Sequence, residues 1–140
     1  LKQWEDLVLE HGWAYGRTGR ALEGKRCACL LTAGGRAEVY RPEGYNRFTV
    51  RQLLAPLEQT ANLCRMTWLP PWVLHGTHRL EAADLDAAAT RYVALLTAFH
   101  DGTLGAHPDD TVGDTLDAAL DRALDPALGA RAPRAAEVVG

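Results

Sequence analysis

Thr32-Ala33-Gly34-Gly35, followed closely by Tyr40, is the stretch of this chain best suited to holding a ligand. Two consecutive glycines let the backbone approach a flat ligand closely and take φ > 0 without steric penalty. Tyr40 can bring a ring and a hydroxyl to the same place. The glycines directly follow an apolar run, Cys27 to Leu31, so they read as the loop at the carboxyl end of a buried strand. In open α/β sheets, ligands sit at that carboxyl edge. The same letters also fit a plain strand-to-loop turn, because a lone Gly-Gly pair is weak evidence. A second candidate is Gly12-Trp13-Ala14-Tyr15-Gly16. Two large aromatics in a loop bracketed by glycines can line a planar ligand site, or can simply cover the edge of the core.

Metal chemistry is weakly represented. Cys27 and Cys29 point to one face of a strand, but no second Cys pair accompanies them, so packing thiols are the better reading. His75 and His78 lack a carboxylate or thiolate partner in sequence, so no metal site is expected.

The elements that must position these residues follow from periodicity. Leu1, Trp4, Val8 and His11 fall on one face of a first helix, with Lys2, Glu5, Asp6 and Glu10 around its polar side; that helix is expected to end near Gly12. A strand is expected from about Arg26 to Leu31. Residues 36–47 read as a polar loop. Thr49 is a plausible N-cap for a helix with Val50, Leu53, Leu54, Leu57, Ala61 and Cys64 on its apolar stripe. Pro56 should kink or split that helix. Met66 to Leu74 reads as a second strand, interrupted by Pro70-Pro71, which cannot donate to a ladder. Ala82 to Phe99 is the clearest amphipathic helix. Strand-helix-strand order with apolar strands predicts a parallel sheet covered on both faces.

Residues 1–100 are expected to form one domain and residues 101–140 an acidic, Ala-rich flexible tail, with a short helix over 111–124. The 140 residues suit a single domain at most. Charge is uneven: 12 basic and 10 acidic side chains up to residue 100, then 3 basic and 8 acidic. A net charge of −3 argues neither for nucleic acid nor for an acidic membrane surface. No apolar run approaches the roughly 18 residues of a membrane span, and no leader pattern is read. Three cysteines in apolar segments suit reduced thiols and a cytoplasmic protein. The chain begins inside a helical pattern without Met, which suggests a fragment of a longer protein.

Several blocks together resemble a known family: Leu1-Lys2-x-Trp4, His11-Gly12-Trp13-Ala14-Tyr15-Gly16, Ala21-Leu22-x-Gly24-Lys25, Thr32-x-Gly34-Gly35, Gln59-Thr60-Ala61 with Cys64, and Trp68-Leu69-Pro70-Pro71 with His75. They are similar to the flavodoxin-like-fold NAD(P)H:quinone oxidoreductases, nearest to the ancillary oxidoreductases of Kef-type potassium-efflux systems. The likeness covers about residues 1–99. It implies the C-terminal half of a flavodoxin-like, doubly wound parallel sheet in three α/β/α layers, with the N-terminal strands missing.

By this resemblance the chain would belong to a flavoenzyme passing hydride from NAD(P)H through FMN or FAD to a quinone-type acceptor. Thr32, Ala33, Gly34 and Gly35 would lie along the flavin ring, where backbone N–H groups can meet its pyrimidine oxygens. Tyr40 would be the charge-stabilising donor. Trp13, Tyr15 and Asn46 would belong to the substrate pocket, the first two across a homodimer interface. The family usually has a second Thr at position 33, and its larger members a His near Asn46, so a His-assisted proton step does not carry over. Other roles the resemblance allows are a non-catalytic subunit regulating the cytoplasmic domain of a potassium antiporter, peripheral to the membrane through that partner, or an inactive truncated remnant.

Overall fold

The computed structural model describes residues 1–104 and 116–124. Its centre is one pair of parallel strands, each broken into two pieces. The first strand comprises β1 (Arg26–Cys27) and β2 (Leu30–Ala33); the second comprises β3 (Thr67–Trp68) and β4 (Trp72–His75). Arg26 pairs with Thr67 and Cys27 with Trp68. Leu30 pairs with Trp72, and the register runs on to Ala33 opposite His75. Between the two paired stretches the second strand spends one residue more than the first. The extra residue falls at Pro70-Pro71, where neither proline has an N–H for the ladder. Pairing resumes at once: the Leu69 amide donates to the Cys27 carbonyl at 2.8 Å and the Trp72 amide to the Cys29 carbonyl at 2.9 Å. The expected break is therefore a bulge inside a continuous pairing.

The parallel crossover is made by α2 (Val50–Leu53) and α3 (Ala55–Leu63). Thr49 caps α2 as the sequence predicts. Its hydroxyl accepts from the Gln52 amide, and the Gln52 side chain accepts from the Thr49 amide. The helix then splits at Leu54, and Pro56 sits in the first turn of α3, where its missing N–H costs nothing. α3 packs against β3. Trp68 and Leu69 are consecutive in an extended chain, so their side chains leave opposite faces. On the Leu69 face, a core joins Leu69 and Trp72 to Leu95 and Ala98 of α4 (Ala82–His100). Helices thus cover both faces of the strand pair.

That core reaches further along the chain than the expected domain limit at residue 100. Leu104, Leu116, Ala119 and Leu120 are buried in it. α5 (Asp117–Leu124) lies on α4, held also by Arg91, which bridges Asp117 at 2.7 Å and Asp121 at 3.0 Å. The spacing of four between Leu116 and Leu120 gave the expected helix its inner face. Residues 116–121 are not a solvated tail, because an acidic surface and a buried leucine stripe coexist on one helix. The expected segment 111–115 and the flexible stretch 125–140 lie outside the described residues.

The first helix departs from expectation. α1 (Lys2–Val8) ends well before Gly12, with Leu9 already out of helical conformation. Leu1, Trp4, Leu7 and Val8 are exposed, and Glu5, expected on the polar side, is the buried residue. The apolar stripe has no surface to pack on among the described residues. The helix instead approaches the sheet with the Glu5 side, near Cys27 and Cys64.

Arg26 ties the first strand to the end of α4. Its guanidinium donates to the Phe99 carbonyl at 2.9 Å and to the Leu104 carbonyl, and lies 5.1 Å from the centre of the Phe99 ring. Arg26→Met, which keeps the apolar stem, is expected to lower unfolding free energy by about 1.5–3 kcal/mol, the usual worth of hydrogen bonds to a charged donor; urea denaturation checks this. Thr49→Ala should cost about 1 kcal/mol through loss of the cap, in the same measurement.

Candidate functional site

β2 ends at Ala33, and the chain leaves the sheet through Gly34 and Gly35. A one-turn 3₁₀ helix over Ala37–Val39 then turns it back, so that Tyr40 lies over the loop it has just left. The glycines are required by close approach rather than by left-handed φ; neither has a positive φ. A Cβ on Gly35 would stand 2.9 Å from Val39 Cγ2, 3.1 Å from Tyr40 Cε2 and 3.4 Å from the Tyr40 hydroxyl. A Cβ on Gly34 would stand 2.7 Å from His78 Nε2. The close approach that the structure shows at these glycines is by this chain's own Tyr40, Val39 and His78.

The second strand closes the other side. The Gly35 carbonyl accepts from the Gly76 amide at 3.1 Å, and His75 Nδ1 lies 3.3 Å from the same oxygen. The His75 and Tyr40 rings are 5.3 Å apart, tilted by 47°. The amides of Gly34, Gly35 and Arg36 have no hydrogen-bond partner among the described residues. Consecutive free N–H groups next to a tyrosine hydroxyl form a donor-rich edge. It suits a flat ligand that presents carbonyl oxygens or partial negative charge.

Thr32, Ala33, Gly34, Gly35 and Tyr40 are thus brought together at the carboxyl end of the strand pair. Asn46 belongs to the same loop: its amide donates to the Val39 carbonyl at 2.9 Å. Trp13 and Tyr15 lie elsewhere. Their loop is tied to the segment just before β3, at the amino end of the strands. There Arg65 donates to the carbonyls of Gly19 at 2.6 Å and Gly16 at 3.0 Å. Trp13 is about half exposed and Tyr15 half-buried beside α1 and α3. Within one chain they do not reach the glycine edge.

His75 is the residue that sequence reasoning undervalued. The sequence reading ends the strand at Leu74 and weighs His75 only as a weak metal ligand, whereas β4 runs on to include it. Its place opposite Ala33 depends on the parallel register, which no local pattern reveals. Among the described residues no three metal-ligating side chains gather. The three cysteines are free thiols, and burial pushes each of them above the ordinary thiol range, so they are poor nucleophiles.

Comparison with known proteins gives this architecture its place. The family model described as Flavodoxin-like fold matches residues 1–96. The glutathione-regulated potassium-efflux system ancillary protein KefG of Cronobacter sakazakii is 38% identical over 66% of this chain and 50% of its own length. The uncharacterized NAD(P)H oxidoreductase YrkL of Bacillus subtilis is 40% identical over 71% of this chain and 58% of its own. Among solved structures, general stress protein 14 of Treponema denticola, in complex with FMN, superposes with a TM-score of 0.63 at 39% identity, over 70% of this chain and 56% of that one. The chain spans about half the length of the curated relatives it matches. By these matches the chain belongs to the flavodoxin-like-fold NAD(P)H:quinone oxidoreductase family, near the Kef ancillary proteins.

Proposed function

We propose that this chain carries the ring-binding edge of an NAD(P)H-dependent flavin oxidoreductase, with FMN as the cofactor and a quinone-type compound as the acceptor. The observation that carries the reading is the donor-rich edge itself: the free amides of Gly34, Gly35 and Arg36, with the Tyr40 hydroxyl over Gly35. That edge fits the pyrimidine side of an isoalloxazine, which is flat and bears acceptor oxygens. The FMN complex of the Treponema relative supports the choice of FMN over FAD, and the YrkL likeness supports NAD(P)H as the reductant.

When bound, FMN supplies the site at which hydride is received from NAD(P)H and passed on. The chain's own residues bind and polarise. The amides donate to the ring oxygens and favour negative charge on the ring, in a fixed geometry that costs no reorganisation. Thr32, exposed at the end of β2, offers a hydroxyl beside them. Tyr40 donates a further hydrogen bond, and its phenol is the group best placed to stabilise that charge. Asn46 holds the return of the Tyr40 loop and borders the space the acceptor would use. Trp13 and Tyr15 would wall that space only from the partner of a homodimer. A second reading is favoured by the likeness to KefG: a subunit that docks on the cytoplasmic side of a potassium-efflux antiporter, with or without turnover.

Purified protein incubated with FMN, then freed of unbound ligand, is expected to keep a visible flavin spectrum that NADPH or NADH bleaches and a quinone restores. A colourless, folded protein would overturn the oxidoreductase reading and leave the antiporter reading to be tested by binding to the antiporter's cytoplasmic domain. Gly35→Val, which puts a branched side chain where Tyr40 and Val39 stand, is expected to weaken FMN at least about tenfold. Tyr40→Phe should weaken it about fivefold, the worth of one neutral hydrogen bond. Quenching of flavin fluorescence on titration reads both.

A further inference from the structure

We propose that His75 is a positioning residue of this site, acting through Gly35 on the amide edge and through its ring on Tyr40. The proposal rests on the flavin reading above for its ligand, but not for its geometry.

β4 delivers His75 at its last position, paired with Ala33, so the imidazole stands where the glycine loop begins. The Gly35 carbonyl receives two donors from this one strand end, the Gly76 amide and His75 Nδ1. A backbone carbonyl acting as acceptor fixes the imidazole with its proton on Nδ1. In a trans peptide the carbonyl of one residue and the N–H of the next point in opposite directions. Holding the Gly35 oxygen toward β4 therefore aims the Arg36 N–H away from it, outward from the loop. The Arg36 amide has no partner among the described residues, so it is left available to a ligand. Without the His75 donor, only Gly76 would fix that peptide plane, and two glycines in succession give the backbone freedom to turn.

The same imidazole lies against Tyr40, with ring centres 5.3 Å apart. Tyr40 reaches over Gly35, where even a Cβ would collide with Val39 and Tyr40, so little room separates the ring from the loop. His75 thus touches both halves of the donor edge: the peptide carrying the Arg36 amide and the ring carrying the Tyr40 hydroxyl. Asn46 holds the return of the loop through its backbone N–H on the Val39 carbonyl. The imidazole of this site arrives from the other strand.

Three variants separate the hydrogen bond from the ring contact. His75→Asn places an amide nitrogen close to the position of Nδ1. His75→Gln carries its amide one methylene further, past Gly35. His75→Phe keeps a ring on Tyr40 without a donor. Two readouts are taken on each: FMN affinity by fluorescence titration, and amide hydrogen exchange at Gly76 and Arg36 by NMR, with thermal melting to establish that each variant is folded. Asn is expected to bind FMN within about threefold of the parent and to exchange at the parent's rates, whereas Gln and Phe lose about five- to tenfold in affinity and exchange faster at Gly76. Equal affinity and equal exchange in all variants would overturn the proposal, as would Asn behaving like Phe. If Phe does not fold, the contrast between Asn and Gln decides. If the parent retains no FMN, the flavin reading falls by itself. The exchange rates then decide on His75: rescue by Asn upholds its positioning of the loop, and no difference between variants overturns it.

Discussion

The parallel pairing of β2 with β4 is the constraint on which the rest depends. A parallel pair cannot be joined by a tight turn; it needs a crossover, and here α2 and α3 supply it. Once the strands run the same way, both of their carboxyl ends open on one edge. The loop after β2 and the residue that ends β4 become neighbours without being close in sequence. Gly35, Tyr40 and His75 meet for that reason alone. Just past the last paired residues, Ala33 and His75, the Gly76 amide reaches across to the Gly35 carbonyl, so the site sits directly at the end of the ladder.

Packing holds this pairing from two sides with different materials. On the α3 face the helix contributes small groups, Ala61 and Cys64, which are buried and let it lie close to β3. Larger aliphatic side chains from α4, α5 and Leu104 fill the other face around Leu69 and Trp72. Arg26 and Arg91 fasten the outer segments by hydrogen bonds to backbone and carboxylates, with their stems contributing apolar cover. Exposed apolar side chains remain on separate elements, among them Trp4 and Leu7 of α1 and Leu85, Val93 and Leu96 of α4.

How much of this was legible in the sequence divides along the range of the interaction concerned. The cap at Thr49, the split before Pro56 and the long α4 follow from neighbours a few residues apart, and local pattern found them. The glycine edge and Tyr40 were found because strand and loop are adjacent in the chain. His75 was not, because its partner Gly35 is 40 positions away and only the register joins them. α1 misled for a related reason. Its apolar stripe is real, but a stripe names a face that wants cover and cannot say whether the cover lies within these residues. The leucines at 116 and 120 misled in the opposite sense: their acidic setting suggested solvent, yet two well-spaced leucines sufficed to join the core.

Pro70-Pro71 carries a consequence of its own. Side chains alternate along a strand, so one residue more or less on one side of a pairing reverses which way everything downstream faces. The bulge is the phase setting between Trp68, which serves one layer, and the His75 end, which meets the glycine loop. Substitution at either proline would disturb this locally. Deletion of one would rotate the half-period instead, sending His75 to the opposite layer while leaving every side chain of the site chemically intact. Relatives that keep the same residues but differ in length between these two tryptophans would therefore share the letters of this site and not its geometry.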